Sequence, residues 1–136
     1  MVEFALSFPL LYLAMAGTFH FGYVFMVYDG LQTAVRAGGR YASVADFDSP
    51  YGTTFAEDVK DLVVYGKTDP DVATDSPIVA GLTTAHVVVD ASDQDGSGMP
   101  ITVSVSITGF TIDTFLDSYQ LTSKPASTFA YQGQFK

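Results

Sequence analysis

Residues 3–44 read EFALSFPLLYLAMAGTFHFGYVFMVYDGLQTAVRAGGRYASV, and the reading of this stretch decides the fold. Between Glu3 and Asp29 stand 25 consecutive residues without Lys, Arg, Asp or Glu. An uncharged apolar run of that length predicts a membrane-spanning helix. At the helical rise it covers roughly 37 Å, against a hydrocarbon core of about 30 Å, so it can span with some tilt. Glu3 is the anomaly. A lone carboxylate at the mouth of an apolar segment needs a cation, a proton or the polar interface to be tolerated. The helix dipole alone also favours an acid in a first turn, so a purely local role stands beside a functional one.

Pro9 lies inside the helical pattern and leaves the carbonyl of Ala5 without its usual donor, which predicts a kink near Pro9 or an extended first turn. Gly17, Gly22 and Gly30 loosen the helix further, and Ala34 with Gly38 forms a weak small-xxx-small pair. Past Asp29 the pattern turns amphipathic. Leu31, Ala34, Val35, Gly38 and Ala42 fall near one face, with Gln32, Arg36, Gly39, Arg40 and Ser43 broadly opposite. This half is expected to leave the apolar layer and pack under a head. Asp46, Asp48, Ser49, Pro50 and Gly52 predict the helix end and a loop.

The remaining residues predict a small head. A second helix is expected over 54–65, capped by Thr53 or Thr54, with Glu57 placed as in a capping box. Phe55, Val59, Leu62 and Val63 recur at helical spacing, and Gly66 is the natural stop. Residues 67–85 read as an exposed loop with one apolar patch at Ile78 and Val79. Strands are expected over 86–90 and 101–108; in the second, Ile101, Val103, Val105 and Ile107 alternate with Thr and Ser. Ile112, Phe115, Leu116 and Tyr119 suggest a short helical connection, and 127–135 a last strand with Phe129, Tyr131 and Phe135 in one phase. The fold class is therefore α+β: a long N-terminal hydrophobic helix packed at its C-terminal half against a small antiparallel sheet. The division expected is 1–47 for the membrane or filament-core helix and 48–136 for the head.

Charge and composition narrow the functions. The formal charge of −9 divides into −2 over residues 1–50 and −7 over the head, so nucleic acid and anionic lipid are poor partners. The chain has no Cys, which removes disulfides, c-type haem attachment and thiolate chemistry. Only Met1 and Val2 precede Glu3, and the apolar run exceeds a secretory signal core, so Met1 is expected to begin a mature chain whose basic leader has been removed. No Gly-rich phosphate loop, Ser/His/Asp order or HExxH pattern is present, and His86 has no evident nucleophile partner. Neither an enzyme nor a cofactor nor a small-molecule substrate is expected. Asp90, Asp93 and Asp95 before Gly96 have carboxylates enough for calcium but not the EF-hand spacing, and a hairpin turn explains them. His20 stands alone in the apolar run, which suits a hydrogen-bonded packing residue better than a metal ligand. The aromatics Phe4, Phe8, Tyr12, Phe19, Phe21, Tyr23, Phe25 and Tyr28 suit packing between helices and a lipid-facing surface, a stacked aromatic path being the alternative. Arg36 and Arg40, one turn apart, suit ion pairs within the fold or between subunits.

The segments VEFALSFPLL, FHFGYVF and LQTAVRAGGRYASV resemble the TadE-like family of pilus assembly proteins. Its members share an apolar segment beginning V-E-F-A-L and a later A-x-R-x-G-x-R-Y-A motif, here Ala34, Arg36, Gly38, Arg40, Tyr41 and Ala42. More distantly the helix is similar to type IV pilins, in which a leader peptidase exposes a new N-terminus and an early Glu pairs with a neighbour's terminal amine. In those pilins the Glu stands further from the mature terminus than Glu3 stands from Met1. The resemblance implies a pilin-like subunit that waits in the inner membrane and then polymerises through its helix into a filament on the bacterial surface. Its partners would be copies of itself, the leader peptidase and the pilus assembly machinery, with Met1, Glu3, Phe4, Phe8, Pro9, Tyr12, Phe19 and Phe25 at the subunit contacts. A minor pilin or membrane-anchored accessory protein of a Tad-type machine is the alternative.

Overall fold

A long helix with a small head folded around its second half is what the computed structural model of the chain shows; it describes residues 2–47, 53–91, 95, 96, 98–114 and 117–133. Helix α1 runs Val2–Ala42 without a break through Pro9. Helix α2, Thr53–Tyr65, follows, then strands β1 (Val87–Asp90), β2 (Thr102–Ile107), β3 (Thr111–Asp113), β4 (Ser118–Gln120) and β5 (Ala126–Ala130). Strands β1, β2 and β5 form one antiparallel sheet with β2 in the centre, and β3 and β4 pair as a separate two-stranded ribbon.

The alternation in β2 sets the sheet's register. Val103, Val105 and Ile107 point inward and are fully buried, while Thr102, Ser104 and Ser106 are half-buried on the other face. Burying three such side chains is worth about 5–9 kcal/mol, comparable with the whole net stability of a small domain, so a one-residue slip is forbidden. Val105 accordingly faces Val89 on β1 and Ser127 on β5. Ile101, expected on the same inward face, lies before the strand and is exposed; its carbonyl accepts the N–H of Tyr131 at 2.9 Å.

Helix α1 packs against β2 and β5 on one side and against α2 on another, and α2 lies over β1. Leu31, Ala34, Val35 and Ala42 are buried, as their spacing predicts, and meet Phe55, Val59, Val63 and Val64 from α2. Gly39, expected on the outward face with Arg36 and Arg40, is instead buried. A Cβ there would lie 2.8 Å from the ring of Phe129 on β5, whereas at Gly38 it would lie 2.3 Å from Cγ2 of Val63 on α2. Two walls hold this helix, so its buried arc is wider than the single stripe of a surface helix.

Three further segments differ from expectation. Where a helical connection is expected, Thr111–Asp113 and Ser118–Gln120 instead pair as the β3–β4 ribbon, Ile112 facing Tyr119 across it. The i, i+3, i+4 spacing of the apolar residues is outweighed by β-branched Thr111, Ile112 and Thr114 and by the hydrogen bonds among Thr114, Asp117 and Ser118. The N–H of Thr114 donates to the carbonyl of Asp117 at 2.9 Å, the N–H of Asp117 to the Thr114 hydroxyl at 3.1 Å, and the N–H of Ser118 to Oδ1 of Asp117 at 2.8 Å. Phe115 and Leu116 lie outside the described residues, as do Asp48, Ser49, Pro50, Gly52, Asp93 and Phe135. The last strand stops at Ala130 rather than running on through 135, because Tyr131 and Gln132 turn to grip the end of α1. The N–H of Gln132 donates to Ser43 at 2.8 Å, and the Tyr131 hydroxyl donates to Ala45 at 2.8 Å and accepts the Phe47 N–H at 3.2 Å. Within 67–85, Val79 and Leu82 are buried in the core while Ile78 is exposed. Thus the apolar patch is split. Gly66 ends α2 with φ +79°, its N–H donating to Leu62, as its place after the last apolar turn predicts.

Candidate functional site

The leading part of α1 extends clear of the head. Phe4, Phe8, Tyr12, Phe19 and Phe25 are all more than half exposed, and Glu3 and Pro9 are exposed beside them. Met1 lies outside the described residues. Phe4 and Phe8, one turn apart, stack with ring centroids 6.0 Å apart. Exposure is not confined to one face. Leu10, Leu11, Tyr12 and Leu13 step round the helix by roughly 100° each and are all exposed by more than 55%. A helix apolar on every side belongs in lipid or inside an assembly. Nine large apolar side chains between Phe4 and Phe19 are exposed in this way. At about 1.5–3 kcal/mol each, leaving them in water costs more than the 5–15 kcal/mol by which a domain is stable. Helix Glu3–Ala42 is long and apolar enough to cross a membrane.

One polar side chain on this rod is satisfied within the helix. The hydroxyl of Thr18 donates to the Ala14 carbonyl one turn back at 2.9 Å, leaving no free donor on its side chain. His20, by contrast, is covered by the head. It is 9% exposed, its Nε2 lies 3.3 Å from the Tyr119 hydroxyl on β4, and its Nδ1 is buried without a partner among the described residues. Its ring lies 5.9 Å from that of Tyr119 and meets Phe21 edge-on. The packing role expected of His20 therefore has a definite partner, one hidden in the sequence because it lies 99 positions away.

The motif over residues 34–42 serves two purposes. Ala34, Gly38 and Ala42 are the small residues that admit α2, Tyr41 is half-buried, and Arg36 and Arg40 point outward. Neither arginine makes an ion pair among the described residues, where the pair present is Lys67 Nζ with Asp75 at 2.6 Å. Two exposed cations one turn apart thus remain on an otherwise acidic chain.

A cavity of about 670 Å³ lies between α1 and the head, with Tyr23, Val27, Val79, His86, Phe110 and Asp113 in its wall. His86 Nδ1 there lies 3.0 Å from the Thr83 hydroxyl and accepts the Thr83 N–H at 3.2 Å, so this histidine is used in a turn. Asp95 organises another turn: its N–H donates to Met99 at 2.8 Å and its Oδ1 accepts the Met99 N–H at 3.1 Å. Among the described residues no three acidic or histidine side chains converge as a metal site would require.

Rod and head together define a class: a chain with a helix long and apolar enough to cross a membrane and a small α+β domain folded around that helix's second half. Residues 1–40 match the family model described as TadE-like protein, the segment that carries the sequence resemblance. The match covers the exposed rod and the start of the packed half of α1, and leaves the head outside it. No curated protein and no solved structure matches it.

Proposed function

We propose that the chain is a structural pilin subunit, held in the inner membrane by α1 and then polymerised through it into an extracellular filament. One observation carries this reading: the rod below the head is apolar on every side, and nothing among the described residues covers it. Lipid covers such a surface in the monomer, and sibling rods cover it in a fibre. A contact repeated by a screw operation gives an open filament, with the acidic heads outside. Glu3 acts in the transfer between the two environments. In the bilayer it rests at the interface or holds a proton; in the fibre the terminal ammonium of the next copy offers it a charge-assisted hydrogen bond in a dry place. That pairing favours the correct register over a slipped one. A leader peptidase would supply the free amine. Arg36 and Arg40, exposed and unpaired within the described residues, serve contacts with a neighbour's acids.

The TadE-like match favours a second reading, a minor pilin or membrane-anchored accessory protein of a Tad-type machine whose head binds other pilus components. Negative-stain microscopy of sheared surface material, with the subunit's share of its protein, separates the two. Filaments composed mainly of this chain are expected; a trace amount supports the accessory role. Glu3→Ala is expected to abolish or weaken filaments while leaving the head's circular dichroism unchanged. Normal filaments from that variant would remove Glu3 from the mechanism.

A further inference from the structure

We infer that the side of α1 turned away from the head lines the core of the filament, where Asp29 of one copy lodges between Arg36 and Arg40 of another copy set back along the fibre. This rests on the reading of α1 as the part that polymerises. The two walls that hold α1 in the head leave a third side bare. At about 100° per residue, Asp29, Arg36 and Arg40 all fall within about 20° of the line opposite Gly38, the position seated against α2. All three are exposed, as is Thr33 between them. Followed down the helix, the same line runs within about 40° through Phe25, Leu11 and Phe4, which are exposed by 70%, 68% and 75%. The bare stripe beside the head is thus continuous with the apolar rod. A fibre that buries the rod among sibling rods and keeps the heads outside turns this whole line inward.

Charges need partners there. A carboxylate or guanidinium taken out of water alone is strongly destabilising, and none of the three makes an ion pair among the described residues of its own chain. A second copy has what each lacks. Asp29 stands seven residues before Arg36 and eleven before Arg40, about 10.5 and 16.5 Å at the helical rise. A parallel copy set back by a distance between these values brings one guanidinium above the neighbour's Asp29 carboxylate and one below it. Both donate charge-assisted hydrogen bonds in a place without water. The chain has six Lys and Arg against fifteen acids, and two of the six stand on this line, so the cations are placed where the fibre has to neutralise an acid. Apolar stripes alone slide past one another. A fixed acid and a fixed pair of cations select one step.

The test is charge reversal in cells that assemble the filament, with the yield of sheared filaments as the readout and each chain's unfolding midpoint in detergent as the check on folding. Asp29→Arg alone, and Arg36→Glu with Arg40→Glu, should each lower the yield about tenfold or more, because like charges then meet in a dry core. All three substitutions together reverse both partners and should bring the yield back to within about threefold of the parent. Asp29→Asn keeps the side chain's shape and should lower the yield in the same direction as Asp29→Arg; it decides the matter if a reversed chain unfolds. Where the parent makes up the filaments, a folded triple variant as poor as Asp29→Arg, or normal yield from Asp29→Asn, overturns the pairing and leaves the filament reading standing. Where the parent is only a trace in the filaments, that reading fails and the pairing falls with it.

Discussion

Gly38→Ala tests the account of how the head grips its helix. The added Cβ would stand 2.3 Å from Cγ2 of Val63, against the 3.5–4.0 Å or so at which carbon atoms rest. Val63 is fully buried and β-branched, so its χ1 has little freedom to yield. Overpacking of this kind costs about 1–3 kcal/mol. Replacing a mid-helix glycine by alanine returns about 0.8–1 kcal/mol of helix propensity. A shortfall of more than 1 Å places the clash in the upper part of its range, so the net loss expected is about 1–2 kcal/mol, or roughly 3–8 °C in the unfolding midpoint. The assay is thermal unfolding of the full chain in detergent, followed by circular dichroism. Gly22→Ala is the control, since nothing lies within 4 Å of a Cβ there. Val63→Ala combined with Gly38→Ala should recover part of the loss, with a coupling of about 0.5–3 kcal/mol between the two sites. A Gly38→Ala protein as stable as the parent or more so, or a double variant whose losses simply add, would refute the close approach of α1 and α2.

Tyr131→Phe removes one donor and one acceptor at the end of α1 and should cost about 1–2 kcal/mol, with faster amide exchange at Phe47 as its local signature. At Asp61 burial, and then the carboxylates of Asp58, Glu57 and Asp69, hold the pKa above the usual range. The folded chain therefore binds that proton more tightly than the unfolded chain, and stability falls as pH rises from about 4 through the raised value. Asp61→Asn should raise the unfolding midpoint at pH 7, with the advantage fading on acidification; an equal gain at all pH values would exclude the titration. The Glu3→Ala experiment completes the set.

Much of this architecture is legible in the residues because it is written in periodicity. The apolar run, the stripe of Leu31, Ala34, Val35 and Ala42, and the strict alternation in β2 each answer to one neighbour, and each lies where the pattern predicts. What escapes the pattern depends on two neighbours at once or on distant pairing. Gly39 reads as outward because a single helix face cannot announce a second wall, and Phe129 lies 90 positions away. Ile112 and Tyr119 carry a helical spacing that short ribbon strands mimic, and local turn bonds around Asp117 decide the outcome. At the candidate site the exposed rod is evident from composition, whereas the contact between His20 and Tyr119 arises only from folding.

The adjacent glycines bear on how load passes through the molecule. With one backbone position seated against α2 and the next against β5, α1 is gripped from two sides and has no swivel where it enters the head. Tension applied along the shaft is shared at once by both flanks and by the clasp of Tyr131 and Gln132 on the helix end. Shaft and head then turn as one rigid lever, so in the filament proposed above any rotation of the rod would swing the outer face of the head by the same angle.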